Sequence, residues 1–512
     1  MASTVVAGNR RIVFDGDASV VAPTGRETVV DRYESGFLVP GLRDAHFHPV
    51  TYAASRVVPS LKTASSLAEV AEQLRAATAG LAPGHLVSAI RLDDEGLAER
   101  RLPTRMDLDT MVADHPVIVH RYCGHIAIAN TRALEEAGVD EQTPDPPGGS
   151  LDRDDRGRPT GVLREMGIEL VSLPLVDQSR PGVEDDQVVA AMHALASVGL
   201  TSIGGIVGCG DGPWADLGDQ FAQMLRIADR LPITVRLLVI GTSPEQLRDA
   251  ARQVAEAGSP RLSFLGVKIF GDGSLGGHTA AMHEPFADAP TTGQLRFDAV
   301  AARPLAEEAL ALGGVVAIHA IGDRANRAVL EFFAELIAKG ADPGRLRIEH
   351  ASLLGPRELD LFEELGVVAS VQPAFMASET EWLVKRIGPH RMPSAYPLRT
   401  LSDRGVPLAG GSDCPVEPPH PLWGMAAARD RCGIVPEEAL TPDEALDLFT
   451  GGAARSMLEP PPLEPGSPAD FIILDRDPVT STPDELREAR VLATYVGGRR
   501  VDWPDDIVVW AG

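Results

Sequence analysis

The sequence predicts an α/β protein built on a (β/α)8 TIM barrel, with an inserted subdomain and a small sheet domain made from both chain ends. Three observations lead there. From about residue 186, apolar runs of four to eight residues alternate with helical runs of ten or more, the pattern of a parallel α/β sheet. Counting an earlier run that ends in His46-Phe47-His48, the strands number eight, the count that closes a barrel. Residue types able to bind a metal stand at the carboxyl ends of strand after strand, where such barrels keep their chemistry.

Composition sets the outer limits. With 512 residues, 44% hydrophobic and 23% charged, the chain is long enough for a large barrel with additions and ordinary for a globular protein. The N-terminus (MASTVVAGNRRIVFDGD) lacks an apolar segment followed by a small-residue cleavage site, and no uncharged apolar run reaches about 18 residues, so a cytoplasmic protein without a membrane span is expected. A net charge of −26 repels phosphate backbones and anionic lipid, which argues against nucleic-acid and membrane partners. The four cysteines (Cys123, Cys209, Cys414, Cys432) include no C-x-x-C pair, which argues against a disulfide framework or a thiolate zinc site.

Taken in order, residues 1 to 40 carry short strand-like runs (Arg11-Ile12-Val13-Phe14 and Glu27-Thr28-Val29-Val30) between Gly and Pro turns. The first barrel strand is expected over 38 to 48. In an extended strand residues two apart share a side, so His46 and His48 face one point. Residues 61 to 185 read as an inserted subdomain. It opens with a helix whose start is the capping box Ser66-Leu67-Ala68-Glu69 and whose stop is Gly80. Its later Pro-, Gly- and Asp-rich stretch (144 to 159) reads as an ordered hairpin or an exposed loop. The alternation then gives strands at 200 to 207, 233 to 240, 262 to 270, 315 to 319, 346 to 350, 367 to 372 and 406 to 413. The intervening helices are expected at 186 to 198, 216 to 230, from Ser243-Pro244, 298 to 312, 323 to 338 and 356 to 364. A last helix opens at Thr441-Pro442-Asp443-Glu444, with Pro at its first position. Strands at Phe471-Ile472-Ile473-Leu474 and 491 to 496 follow a Pro-rich linker and can pair with the N-terminal strands. The expected domains are thus 1 to 40 plus 458 to 512 (sheet domain), 41 to 60 plus 186 to 457 (barrel) and 61 to 185 (insertion).

The chemistry follows from the strand ends. His46 and His48 end strand one, Lys268 lies near the end of strand four, His319 ends strand five, His350 strand six and Asp413 strand eight. Imidazole and carboxylate oxygen suit zinc, and equally iron or manganese, at about 2.0 to 2.2 Å. An ammonium cannot ligate, but burial beside cations lowers a lysine pKa, and the neutral amine can add carbon dioxide to form a carbamate whose two oxygens bridge two metals. Two such ions sharing a hydroxide supply a nucleophile and a Lewis acid, and Asp413 is placed to carry a proton to a leaving nitrogen.

These residues, with VKIFGDGSLGGHTAAMHEPFAD (267 to 288), HAIGDRANRAVL (319 to 330), RIEHASL (347 to 353), SVQP (370 to 373), GSDCPVEPPHPLWGM (411 to 425), GGSLDRDDRGRPTGVLRE (148 to 165) and GSPADFIILDRDP (466 to 478), resemble the amidohydrolase superfamily. The likeness is to the branch that includes N-substituted formamide deformylases and YtcJ-like hydrolases, and it covers nearly the whole chain. It implies a (β/α)8 barrel, a discontinuous β-sandwich domain, and cleavage of a C–N amide-type bond (N-acyl, N-formyl or cyclic amide) in a small-molecule substrate by a metal-activated hydroxide. The metal ligands it implies are His46, His48, Lys268, His319, His350 and Asp413, holding two zinc ions, with iron or manganese as substitutes. A homodimer is left open.

His125 and His278 are candidates to line the substrate pocket. Glu349 either supports a ligand or faces a helix. Asp323 is expected to cap the helix that follows it, and Cys414 reads as an inert neighbour of Asp413. Two other functions compete. A nucleobase or aminoimidazole deaminase on the same barrel usually carries H-x-x-E, whereas His319 is followed by Ala320-Ile321-Gly322-Asp323. A non-catalytic scaffold barrel generally loses ligands, and here all six are present.

Overall fold

Eight parallel strands form one sheet in the computed structural model, which describes residues 3–8, 11–17, 31–33, 35–122, 124–146, 149–179, 183–210, 218–504 and 507–510. Barrel strands one to eight are Leu42–Phe47, Leu200–Gly208, Thr234–Ile240, Leu262–Phe270, Val315–Ala320, Leu346–His350, Val368–Val371 and Leu408–Gly410. Each pairs with the next, strand one with strand two included. Strand eight meets strand one at the site end: Phe47 bridges Cys414, the Asp413 N–H donates to the His46 carbonyl (2.9 Å) and the His48 N–H to that of Cys414 (3.0 Å). Strand interiors rich in Val, Ile and Leu are buried on both faces, as a helix-wrapped parallel sheet requires.

The expected first strand over 38 to 48 is two strands. Phe37–Pro40 pairs antiparallel with Phe471–Leu474, which pairs with Val491–Val496, so both chain ends share a four-stranded sheet. Leu42–Phe47 belongs to the barrel. The break is physical. Pro40 has no N–H for a continued ladder, the Gly41 N–H turns to the Asp470 carbonyl (3.0 Å), and a Cβ on Gly41 would stand 2.4 Å from Thr201 Oγ1. A separate antiparallel hairpin pairs Ser3–Gly8 with Arg11–Asp17. The run at 27 to 30 lies outside the described residues. The expected eighth strand is also shorter, ending at Gly410, with Asp413 on irregular backbone beyond it.

Between barrel strands one and two stands a five-stranded sheet in the order Val87–Leu92, Val117–Arg121, Ile126–Ala129, Pro159–Glu165, Gly149–Arg153. It has an apolar core of its own around Ile118, Ala127, Leu134, Leu151 and Leu163. Gly149–Arg153 and Pro159–Glu165 are the two arms of a hairpin within the Pro-, Gly- and Asp-rich stretch. The helix opening this region spans Leu67–Ala77 and ends at Thr78, short of Gly80. Ser66 caps it by accepting from the Glu69 N–H (3.3 Å), but the Glu69 carboxylate reaches back to the N–H of Ser65 (2.8 Å) rather than of Ser66. Ser66→Ala is expected to cost about 1 kcal/mol. A denaturation midpoint unchanged from wild type would show that this cap carries no stability.

Among the barrel helices, Asp185–Ala196, Pro244–Ala257, Ala299–Ala311, Asp323–Ala338 and Pro356–Leu365 stand close to their expected positions. The helix expected over 216 to 230 is described from Gln220 and stops at Arg226, with a 3-10 turn at Ala228–Arg230. Among the described residues no helix is long and apolar enough to cross a membrane.

Candidate metal centre

His46, His48 and Asp413 bring three ligand atoms within 4.8 Å of one another at the mouth of the barrel. Nε2 of His46 and Nε2 of His48 stand 3.2 and 3.1 Å from the same oxygen, Asp413 Oδ1. The His350 ring lies 4.8 Å from that of His46, and the His319 ring 4.4 Å from that of His350. Lys268, on strand four beside His319's strand, is buried on the same cavity wall, its Nζ 5.2 Å from the centre of the Phe270 ring. The structure therefore gathers all six sequence-selected residues at one cavity.

Two of them arrive by strained backbone. Glu349 and His350 are consecutive, so a regular strand would send them to opposite faces. Yet Glu349 reaches across the barrel to His46, and His350 still lines the cavity, because the chain turns into the left-handed region at His350 (φ +78°) and Ala351 (φ +45°). Asp413 (φ +57°) is re-aimed in the same way. Such non-glycine strain costs roughly 1 to 3 kcal/mol and gathers at functional sites.

Acceptors fix the imidazoles. His46 Nδ1 donates to Glu349 Oε2 (2.5 Å), His350 Nδ1 to Gln372 Oε1 (2.7 Å), and His319 Nε2 to the Gly273 carbonyl (3.1 Å), with Asp272 Oδ1 at 3.2 Å. Each ring is left with its other nitrogen as a lone-pair donor. On His46 that lone pair faces a carboxylate oxygen at 3.2 Å. Two acceptors at that separation repel unless a cation or a proton lies between them, so the donor set fits a divalent metal.

The electrostatics agree. Burial lowers the pKa of His48 and His319, and pushes that of His350 far down with His319 adding to the effect, which favours neutral imidazole. Burial alone would raise the Asp413 pKa, but His46, His48 and His350 outweigh it and hold the carboxyl ionised. Burial brings Lys268 down to about 8, against the pull of Glu349 and Asp413, so about a tenth of its amine is neutral at pH 7, far more than for an exposed lysine.

Around these groups stands a second circle that the sequence reading touched only in part. Asp272 accepts from the N–H groups of Ala281 (2.8 Å), Ile321 (3.0 Å) and Gly322 (2.8 Å), fixing the loop below His319. Arg347 binds Glu349 through Nε (2.6 Å) and the Ala45 carbonyl through an Nη (2.8 Å). Asp44 accepts from the Ser412 N–H (3.0 Å) and hydroxyl (2.5 Å), tying strand eight to strand one. Asp44, His46 and His48 share one side of an alternating strand, a signal visible in the sequence. Asp323, expected as a helix cap, is instead the first helical residue after Gly322, and its carboxylate accepts from the His283 N–H (2.8 Å). The Cys414 thiol is fully buried and its pKa pushed well up by burial, so no thiolate is available there.

The cavity, about 210 Å³, is walled by the centre on one side and the inserted sheet on the other. His125 lines it and donates through Nδ1 to Glu165 Oε2 (2.9 Å); Arg296 binds the same oxygen (2.9 Å). His278 is not among its lining residues: its Nε2 meets Asp288 Oδ1 (2.9 Å) and its ring packs on Phe286.

A smaller adjoining chamber of about 40 Å³ contains two buried acids, Glu379 and Glu417. Burial raises Glu379 to about 8, although the Tyr396 hydroxyl donates to it (2.5 Å), and Glu417 to about 7, despite a hydrogen bond from Ser378. An acid whose folded pKa exceeds its unfolded value near 4.5 gives stability that is fully present below pH 4.5 and lost as the pH rises through 8. Between about pH 5 and 8, wild type is expected to lose roughly 1.4 kcal/mol per pH unit relative to Glu379→Gln. Parallel stability profiles for the two proteins would mean that Glu379 is ionised in the fold.

Comparison with known proteins places this geometry. A model of the amidohydrolase family matches residues 34–502. The chain is 29% identical over 487 residues to the putative amidohydrolase YtcJ of Bacillus subtilis (strain 168), covering 91% of this chain and 88% of that one. It is 28% identical to the N-substituted formamide deformylase of Arthrobacter pascens, over 97% of this chain and 94% of that one. A solved structure of a metal-dependent hydrolase from Pyrococcus furiosus is 32% identical, with a TM-score of 0.70, over 93% of this chain and 95% of that one. With the family model matching across most of its length and a cluster at the barrel mouth suited to a metal, the chain belongs to the amidohydrolase family.

Proposed function

We propose that this metal-dependent hydrolase cleaves a C–N amide-type bond (N-acyl, N-formyl or cyclic) in a small molecule, with Asp413 as the proton carrier. One observation carries the reading: two imidazole nitrogens and one carboxylate oxygen face a single point, and the His46 proton is held on Nδ1 by Glu349, an arrangement compatible with ligation through Nε2. His46, His48, Lys268, His319, His350 and Asp413 would hold two divalent ions, with zinc suited to the donors and iron or manganese acceptable. When bound, such ions supply a nucleophile at neutral pH and polarise the carbonyl under attack.

The rest is the work of the chain's own groups. Lys268 adds carbon dioxide at its neutral Nζ, losing one proton and gaining two oxygen donors. Asp413, ionised in the resting fold, takes a proton from the attacking water as its oxygen joins the carbonyl carbon. As the C–N bond breaks, the same proton passes to the departing nitrogen, leaving an amine and a carboxylic acid that gives up its remaining proton to solvent as carboxylate. Glu349 and Gln372 hold the His46 and His350 rings in place throughout. His125, oriented by Glu165, lines the cavity in which the amide would bind.

The test joins elemental analysis of purified protein to a turnover screen of N-formyl, N-acyl and cyclic amides. About two metal equivalents with amide turnover is the expected result. Ammonia release from aminopurines without amide turnover would replace this reading with the deaminase.

A further inference from the structure

Two carboxyl groups without a counterion stand in the small chamber that opens beside the metal centre. Glu379 ends the short helix Phe375–Glu379 after barrel strand seven, and Glu417 lies on the irregular backbone beyond strand eight. Both side chains are more than nine-tenths buried. Buried carboxyls are ordinarily paired with a cation or fully hydrogen-bonded, because each lone oxygen taken from water carries a penalty. Here each has a single hydrogen bond and no ion pair among the described residues. The Tyr396 hydroxyl donates to Glu379 Oε2 (2.5 Å) and the Ser378 hydroxyl to Glu417 Oε1. Glu379 Oε1 and Glu417 Oε2 meet no donor among the described residues, and neither is sealed off by packing, so both open onto the chamber.

No lysine or arginine lines that space. The cations that act on the pair stand behind its walls and are engaged there: Arg121 binds Asp94 (2.5 Å), Lys62 binds Asp93 (3.3 Å), and Arg91 lies 4.1 Å from the centre of the Trp510 ring. Asp413 acts on Glu417 with the same sign of charge. This isolation accounts for the acids being raised to about 8 and about 7, and a cation arriving beside them would favour the ionised forms. The rest of the wall is apolar, with Phe375, Trp382, Leu275 and Ile321. Phe375 is fixed by stacking on the His350 ring (5.8 Å). A volume of about 40 Å³ admits roughly three water-sized groups, enough for a short methylene arm and its charged end. Two carboxyls among hydrocarbon walls are too few oxygens for calcium or magnesium, which take six or more.

We propose that this chamber is an ammonium subsite, and that the substrate is an amide whose short aliphatic arm ends in an amine paired with Glu379 and Glu417. The scissile amide in that statement rests on the hydrolase reading; the subsite itself is tested by binding alone. A charge-assisted hydrogen bond away from water contributes roughly 10- to 100-fold in affinity.

The experiment measures calorimetric binding of 4-phenylbutylammonium and of 4-phenylbutan-1-ol to the full chain at pH 8.5. There both acids are mostly ionised, while an amine with a pKa near 10.4 keeps its charge. N-(3-aminopropyl)acetamide and its neutral isostere N-butylacetamide serve as paired substrates. Wild type is expected to prefer the ammonium probe by tenfold or more. Glu379→Gln and Glu417→Gln are each expected to lose part of that preference and the double variant all of it. Glutamine has the shape of the protonated acid, so the variants should fold, which denaturation midpoints and metal content check. For the paired substrates the preference is expected in KM. Equal binding of the two probes by wild type overturns the subsite without any variant. So does a preference that survives the double variant at unchanged metal content, since the amine would then sit on the metal centre. Turnover of both amides at equal KM removes the subsite and leaves the hydrolase standing. Ammonium binding that depends on the two acids, with no amide turnover, does the reverse.

Discussion

Asp413→Asn is expected to keep the fold and its metal content while kcat falls on the order of 10³-fold or more. The substitution is isosteric, and Asn tolerates the left-handed backbone (φ +57°) that Asp413 adopts. It retains an oxygen to face His46 and His48, but an amide has no basic site to take a proton from water and return it to nitrogen. Elemental analysis and steady-state turnover on the same preparation read both halves. Undiminished turnover would remove Asp413 from proton transfer and require another base at the barrel mouth.

Glu349→Leu is expected to lower stability by about 3 to 5 kcal/mol and metal affinity by about 10- to 100-fold. Both effects follow from the two bonds this carboxylate makes. Arg347, 1% exposed, would keep its charge and lose its counterion. His46 would lose the acceptor that holds the proton on Nδ1 and leaves Nε2 free to ligate. Burial would raise the Glu349 pKa, but Arg347 and His46 hold it far down, which shows how firmly the ionised form is embedded. Glu349→Gln separates the two effects, since it keeps the shape and one acceptor and should recover part of the stability. Denaturation midpoints and a competitive chelator titration give the two readouts. Metal held as tightly in Glu349→Leu as in wild type would show that ring orientation at His46 owes nothing to this residue.

Much of the barrel was legible because its signals are local. Runs such as Leu346–His350 and Val315–Ala320 are apolar, short and bounded by helices with recognisable starts, Ser243-Pro244 among them. The six candidate site residues were visible for the same reason: each lies at or near the carboxyl end of a strand, and those ends in a closed parallel barrel face one mouth. The first strand misled because Phe37–Pro40 and Leu42–Phe47 form one apolar run in which a single Pro-Gly step moves the chain from one sheet to another. Asp323 misled because an acid before Arg-Ala-Asn looks the same whether it caps the helix or starts it, and a distant N–H at His283 decided between them.

From the sequence alone came the order of strands and helices and the identity of the candidate ligating side chains, since these depend on hydrophobic period and residue chemistry within a few neighbours. The folded chain alone decided which ring nitrogen is free, that Glu349 and Arg347 stand behind His46, and that Glu379 and Glu417 rather than His278 line the space beside the metal centre. Those facts depend on partners such as Glu349 for His46, 303 residues away, and on backbone turns at His350 and Asp413 that abandon the regular alternation of a strand. No local pattern encodes a departure from local pattern.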